Sequence, residues 1–236
     1  MVGEMIKIGI LQTDSLMPDL QTQYLDYAAM FRNRFAQQHS LCEFENYDVL
    51  QAVPDSLTCD AYIITGSRHS VYDDLPWIHS LVEFLRDALA CRKKVIGICF
   101  GHQLMAHFFG GRVSAAEVGW SVGVQPTRIV APQKWMDSDQ DQFALLSSHK
   151  DQVQELPSDA TLFAGNPACP VAGFTMGEQV LTFQGHPEFT KAYANALMTI
   201  RRETLGEAVF AKGQASLVLD TDENLVARWI CNFILA

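Results

Sequence analysis

Positive charge is scarce in this sequence: 17 Lys and Arg stand against 27 Asp and Glu, a net charge of −10 with histidine neutral. Nucleic acid is therefore excluded as a partner class, because its binding rests on neutralising phosphates with basic side chains. Long apolar runs are also lacking. None approaches the roughly 18 uninterrupted residues that a membrane span needs, so no membrane association is expected. The opening MVGEMIKIGILQTD has too short an apolar segment for a secretory signal and carries Glu4 and Lys7 around it. It reads as the first strand of a cytoplasmic protein. No C-x-x-C pair occurs among Cys42, Cys59, Cys91, Cys99, Cys169 and Cys231, which argues against a disulfide framework. Repeats, low-complexity tracts and Pro/Gly/Ser-rich linkers are missing too, and a single domain over residues 1–236 is expected.

What is present is a substantial core: 48% of residues are hydrophobic and 19% charged, the balance of a globular protein. Ile6 to Leu11 and Cys42 to Leu50 read as strands. So do Ala61 to Ile64, which runs into the loop Thr65-Gly66-Ser67, and Lys94 to Ile98. Between them, Tyr24, Ala28, Phe31 and Phe35 recur at helical spacing from Leu20 onward, and Trp77, Ile78, Leu81, Val82, Leu85 and Leu89 mark another helix. Strands alternating with helices predict an α/β fold with an open, mostly parallel central sheet flanked by helices. After Gly111 short runs punctuated by Gly and Pro predict antiparallel hairpin strands, GFTMGEQVLTF from Gly173 being the clearest. A helix is expected after Thr190, and another over Asp222 to Leu235.

One cysteine has an unusual setting. Cys99 stands in Gly97-Ile98-Cys99-Phe100-Gly101, after an apolar strand and before an amphipathic helix. A strand, a sharp turn and a helix with a nucleophile at the turn make a nucleophile elbow. The flanking glycines let the turn close and push the central side chain into solvent at the C-terminal edge of the strand, where open α/β sheets place their ligands. The positive end of the following helix favours a thiolate.

A thiol nucleophile needs a base and an orienting carboxylate. Of seven histidines, His186 has the suggestive neighbours: Gly185-His186-Pro187-Glu188 follows an apolar strand, and Pro187 restricts the backbone between imidazole and carboxylate. His102 and His107 lie five apart on the helix after Cys99, face different ways and make a poor metal pair. His102 is expected as a contact at the helix N-terminus, and His39 and His79 as surface residues. No metal and no cofactor are expected.

Together GICFGHQ (97–103) and GHPE (185–188) resemble the class I glutamine amidotransferases, the Cys-His-Glu family, and the flavodoxin-like three-layer fold of that family is implied. The TGS of residues 65–67 falls where the family keeps its first oxyanion glycine, and SSHKDQV from Ser147 is similar to its S-H-x-D loop. Stand-alone, GMP-synthase-like members are the nearest in pattern. The resemblance implies that Cys99 attacks the glutamine side-chain amide to give a γ-glutamyl thioester and ammonia. His186 would move the proton, Glu188 would hold the imidazole, and the N–H groups of Gly66 and Phe100 would form the oxyanion hole. Gln103 would touch the substrate, with Ser148 and His149 at its α-amino and α-carboxylate end. One departure is plain: Thr65-Gly66-Ser67-Arg68 has a single glycine where many members have two or three.

The sequence to Ala236 carries no synthetase-like region, so an acceptor or synthetase subunit is implied as a partner for the ammonia. Two other readings compete with glutamine as donor: a γ-glutamyl peptidase using the same three residues, and a non-enzymatic binding module. The intact Cys99, His186 and Glu188 argue against the last. The stretch RHSVYDDLPW (68–77) reads as a partner surface, as a rim for a larger γ-glutamyl substrate, or as a helix lead-in with Asp74 near the N-cap and Pro76 in the first turn.

Overall fold

The computed structural model describes residues 5–36 and 42–236; His39 lies outside them. The order of elements is β1 Ile6–Gln12, α1 Pro18–Tyr24, α2 Tyr27–Ala36, β2 Cys42–Asp48, β3 Ala61–Ile64, α3 Pro76–Ala90, β4 Lys94–Ile98, α4 Phe100–Phe108 and β5 Arg112–Ala115. It continues with β6 Ser121–Ile129, β7 Gln142–His149, β8 Asp151–Glu155, β9 Ala160–Asn166, β10 Cys169–Met176, β11 Val180–Phe183, α5 Lys191–Ile200, α6 Arg202–Leu205, α7 Glu207–Ser216 and α8 Glu223–Leu235.

Nine strands form one sheet in the order β2-β1-β3-β4-β11-β10-β9-β6-β7, and β5 pairs with β8 apart from it. The first five are parallel. Beyond β11 the pairing is antiparallel, through the hairpin of β10 and β11 that GFTMGEQVLTF forms. The fold is therefore the expected α/β arrangement, with the hairpin strands extending the parallel sheet on one side.

Successive residues of a strand face opposite sides, and the core divides accordingly. Ile63, Ile96 and Ile98 pack with Phe31, Phe35, Trp229 and Phe233 of α2 and α8. Tyr62, Ile64 and Val95 pack with Leu81, Leu85 and Leu104 of α3 and α4. Each such side chain contributes roughly 1.5–3 kcal/mol when fully buried, and the two apolar layers fix which edge of the sheet is free to carry loops. Among the described residues, no helix is long and apolar enough to cross a membrane.

Two local expectations are corrected. The single helix from Leu20 to Phe35 is two, because Leu25 takes a left-handed φ of 64° and Asp26 begins the next helix, its carboxylate accepting the Ala29 N–H at 2.6 Å. The strand from Cys42 stops at Asp48, whose side chain accepts from Leu50 N–H and whose carbonyl accepts from Gln51 N–H, turning the chain. The expected lead-in to α3 is observed: Leu75 is the N-cap, Pro76 is first in the helix, and Asp74 beside the cap pairs with His79 at 2.8 Å. The short helices α6 and α7 went unread in the sequence.

Candidate active site

Four strands end side by side at one edge of the sheet. Past β1 come Thr13 and Asp14; past β3, Thr65 and Gly66; past β4, Cys99; past β11, Gln184, Gly185 and His186. The C-terminal edge of a parallel sheet gathers residues that are far apart in sequence, and here it gathers most of the expected site.

Cys99 occupies the turn between β4 and α4 with φ 52° and ψ −97°, a conformation that a residue with a Cβ holds only under strain. Two bonds anchor it: Cys99 N–H donates to Phe183 O at 2.9 Å, and Cys99 O accepts from Gln103 N–H at 3.0 Å. The glycines on either side are demanded by close packing. A Cβ on Gly97 would lie 2.6 Å from the Gly101 backbone, and one on Gly101 would lie 2.7 Å from Cβ of Ile64. The glycines therefore let α4 start hard against the sheet. The thiol, however, is not thrust into solvent as expected. Cys99 is only 5% exposed, because His186 and the Gly66 loop close over it. It still lines a cleft of about 380 Å³.

His186 is held by its own backbone, its N–H donating to Leu146 O at 2.8 Å, and its ring stacks on Phe189 with centroids 3.8 Å apart. Nδ1 lies 2.7 Å from Oε1 of Glu188. Burial alone would push this imidazole down, but the charges of Glu188 and Cys99 and hydrogen bonding to both raise it to about 10. His186 therefore carries its proton at neutral pH, an arrangement suited to protonating a leaving amine.

Gly66 sits against both. A Cβ there would fall 2.9 Å from Cε1 of His186 and 3.7 Å from Cβ of Cys99. Thr65 O accepts from the Thr13 hydroxyl at 3.2 Å, so across a trans peptide the Gly66 N–H is directed away from Thr13 and, β3 lying between β1 and β4, towards the end of β4 and Cys99. Phe100 opens α4, and its N–H is among those a helix start leaves without an intrahelical partner.

Gln103, Ser148 and His149 all line the same cleft as Cys99. Gln103 is nearly sealed, its Nε2 donating to Asp151 O at 2.7 Å and to Gln184 Oε1 at 3.1 Å. His149 Nδ1 lies 3.1 Å from the same Asp151 carbonyl. Burial lowers His149 to about 4, the carbonyl opposing and the positive charge of His186 assisting, so it is neutral and donates through Nδ1. Ser148 Oγ accepts from Arg201 Nη1 at 3.0 Å.

His102 is corrected. It is fully buried, Nδ1 2.8 Å from Thr182 Oγ1 and Nε2 3.1 Å from Val171 O. It braces α4 against β10 and β11 rather than contacting the helix N-terminus, and burial with the nearby His149 charge lowers it to about 3. The structure also brings in Thr13, Asp14 and Arg201, which the sequence did not single out, and sets Asp151, the acidic residue of the S-H-x-D stretch, against Gln103 and His149. The signal available for the first two was their position just past a buried strand, the same position that marks Thr65 and Cys99.

Known proteins are similar to this chain in sequence and in fold. The sequence model of the family described as "Glutamine amidotransferase class-I" matches residues 24–201. Gamma-glutamyl peptidase 3 of Arabidopsis thaliana is 32% identical over 181 residues, covering 71% of each chain. A glutamine amidotransferase-like protein of Schizosaccharomyces pombe is 29% identical over 232 residues, 92% of each chain. Among solved structures, a glutamine amidotransferase from Thermotoga maritima superposes with a TM-score of 0.78 at 15% identity, over 99% of this chain and 100% of that one, which speaks to the fold alone.

Proposed function

The chain belongs to the class I glutamine amidotransferase family, and on that footing we propose that it cleaves γ-glutamyl amides through a covalent thioester on Cys99. In acylation the Cys99 sulfur bonds to the amide carbon, giving a tetrahedral oxyanion that the N–H groups of Gly66 and Phe100 stabilise. The C–N bond then breaks as His186 gives its proton to the departing amine. In the second half His186 takes a proton from water, whose oxygen adds to the thioester carbonyl; the C–S bond then breaks with its electron pair going to Cys99, glutamate leaves, and His186 is again protonated for the next cycle. Glu188 keeps the imidazole oriented and stabilises its positive form. Ser148 and His149 lie where the α-amino and α-carboxylate end of the substrate would sit, and Gln103 backs them.

The observation that carries this reading is the sealed His186–Glu188 pair, 2.7 Å apart, set beside a cysteine in a strained backbone turn. Cys99→Ala and His186→Ala should each abolish turnover. The double variant should be no slower than either, since the two act as a unit.

Glutamine is the donor that the sequence motifs fit. A second reading, a γ-glutamyl peptide as substrate, is favoured by the cleft, whose 380 Å³ extends past Cys99 to Arg68, His69 and Trp120, and by the peptidase names among the relatives. The deciding measurement is kcat/KM for glutamine against a γ-glutamyl dipeptide on the isolated protein, recording both ammonia and glutamate. A peptide preferred by more than about 100-fold, roughly 2.7 kcal/mol of transition-state binding, would replace glutamine as donor. If glutamine wins but turns over slowly, a partner subunit that consumes ammonia should accelerate it.

A further inference from the structure

An oxyanion hole works only if its donors are held still before charge develops. Here the loop carrying Gly66 has one glycine, and its neighbours Thr65, Ser67 and Arg68 all bear side chains that reach back to the end of β1. The Gly66 carbonyl accepts from the Thr13 hydroxyl at 2.9 Å and from the Thr65 hydroxyl at 3.2 Å. Thr13 N–H donates to Thr65 Oγ1 at 3.0 Å, and Ser67 Oγ donates to Thr13 O at 3.1 Å. One step further, Asp14 Oδ2 accepts from the Arg68 N–H at 2.9 Å, and the same carboxylate takes Arg68 Nε at 2.9 and 3.0 Å. Arg68 Nη2 closes the set on Ser15 O at 2.9 Å.

A trans peptide holds its C=O and N–H antiparallel, and no cis bond occurs among the described residues. Tying the Gly66 carbonyl to Thr13 therefore turns the Ser67 N–H away from Thr13, towards the cleft that Ser67 shares with Cys99. By the same rule the Thr65 carbonyl, which accepts from the Thr13 hydroxyl at 3.2 Å, turns the Gly66 N–H in the direction of Cys99. Thr13 is fully buried and Asp14 is 7% exposed, whereas about half of the Arg68 side chain is open to solvent. The buried partners follow directly on β1, which is fixed between β2 and β3 in the sheet.

We propose that Thr13 and Asp14 are positioning residues that hold the peptide units on both sides of Gly66, and with them the Gly66 N–H, in the orientation the tetrahedral intermediate requires. Side-chain bonds from β1 do here what extra glycines would leave to backbone freedom. The proposal rests on the amidase reading, because it concerns a group that acts only when an oxyanion forms.

That dependence supplies the test. Alkylation of Cys99 by iodoacetamide is a displacement at carbon that forms no oxyanion, so it reports thiol reactivity without the hole. In Thr13→Val, nearly the same shape without the hydroxyl, kcat for the γ-glutamyl amide should fall about 100-fold, the size of effect that misplacing a catalytic group produces. KM and the alkylation rate should stay near the parent values. Thr13→Ser should recover most of the lost kcat, and Asp14→Asn should lie between. Equal losses in kcat and alkylation would mean a general disturbance of the site and would overturn the proposal. So would unchanged kcat in Thr13→Val beside an active parent. A parent that releases glutamate from no γ-glutamyl amide would instead remove the amidase reading, and this inference with it.

Discussion

Nδ1 of His186 and Oε1 of Glu188 lie 2.7 Å apart, with their side chains 3% and 0% exposed. So little water reaches the pair that the partner's charge, rather than solvent, decides whether the imidazole is protonated. Burial works against the charged ring, and the charges of Glu188 and Cys99 outweigh it, which places the titration at about 10.

Glu188→Gln should expose that balance. The amide keeps a hydrogen-bond acceptor for Nδ1–H but removes the charge that opposes burial. The alkaline limb of kcat/KM, which reports loss of the imidazolium proton in the free enzyme, should move towards lower pH by more than one unit. A pH–rate profile with an unmoved alkaline limb would show that Glu188 does not set the protonation of His186.

Cys99 offers a test of backbone strain that is separate from chemistry. Holding a residue with a Cβ at φ 52°, ψ −97° costs of order 1–3 kcal/mol. Glycine adopts such angles freely, at an unfolded-state entropy cost of about 0.4–1 kcal/mol. Ordinarily Ala is the safer truncation. At this position Cys99→Gly should be at least as stable as Cys99→Ala in urea unfolding, inverting the usual order. A clear advantage for the alanine variant would mean that the turn is not strained in solution.

Gly66→Ala should separate folding from function. The added methyl would meet the His186 ring at 2.9 Å, closer than a Cβ contact can be, so the imidazole or the loop must move aside. Because the group displaced is a side chain, the thermal midpoint should change little while turnover falls by two orders of magnitude, as roughly ångström-scale misplacement costs about that much. Loss of the folded state, seen by near-ultraviolet circular dichroism, would contradict this.

Some of this was readable from the amino acids alone because the constraint is local. Gly97 and Gly101 announce the elbow, since nothing larger fits between β4, Ile64 and α4. The Pro between His186 and Glu188 marks two side chains kept close by the chain itself. The helix break at Leu25 was hidden because the apolar spacing continues across it: Tyr24 packs beside α5 while Ala28, Phe31 and Phe35 face the central sheet. His102 and Thr13 were misread or missed because their partners are 80 and 52 residues away. A buried polar side chain declares its role only through the group it meets, and here that group comes from another strand.

The buried histidines should also govern how stability depends on pH, with opposite signs on the two sides of neutrality. Burial, helped by the positive charge of a neighbouring histidine, lowers His102 to about 3 and His149 to about 4. The unfolded chain binds both protons near pH 6.5, so their stabilising effect is complete above that pH and is lost as the medium becomes more acid. Each contributes a slope of about 1.4 kcal/mol per pH unit. His186 runs the other way. Raised to about 10, it keeps a proton that the unfolded chain has released by pH 7.5, so its contribution is complete below pH 6.5 and fades as pH rises towards 10. Unfolding free energy should therefore peak near pH 6.5 and fall on both sides. His102→Asn should reduce the slope between pH 6 and 4.5 by one proton's worth, about 1.4 kcal/mol per unit, and leave the slope between pH 7 and 8.5 intact. Glu188→Gln should do the reverse, flattening the alkaline side, because His186 is the group titrating in that range that depends on the carboxylate; Arg34 and Tyr193, which also feel it, lose their protons only at higher pH. Urea unfolding at half-unit pH steps measures both slopes, and an acid slope unaffected by His102→Asn would mean that this ring is not held neutral in the core.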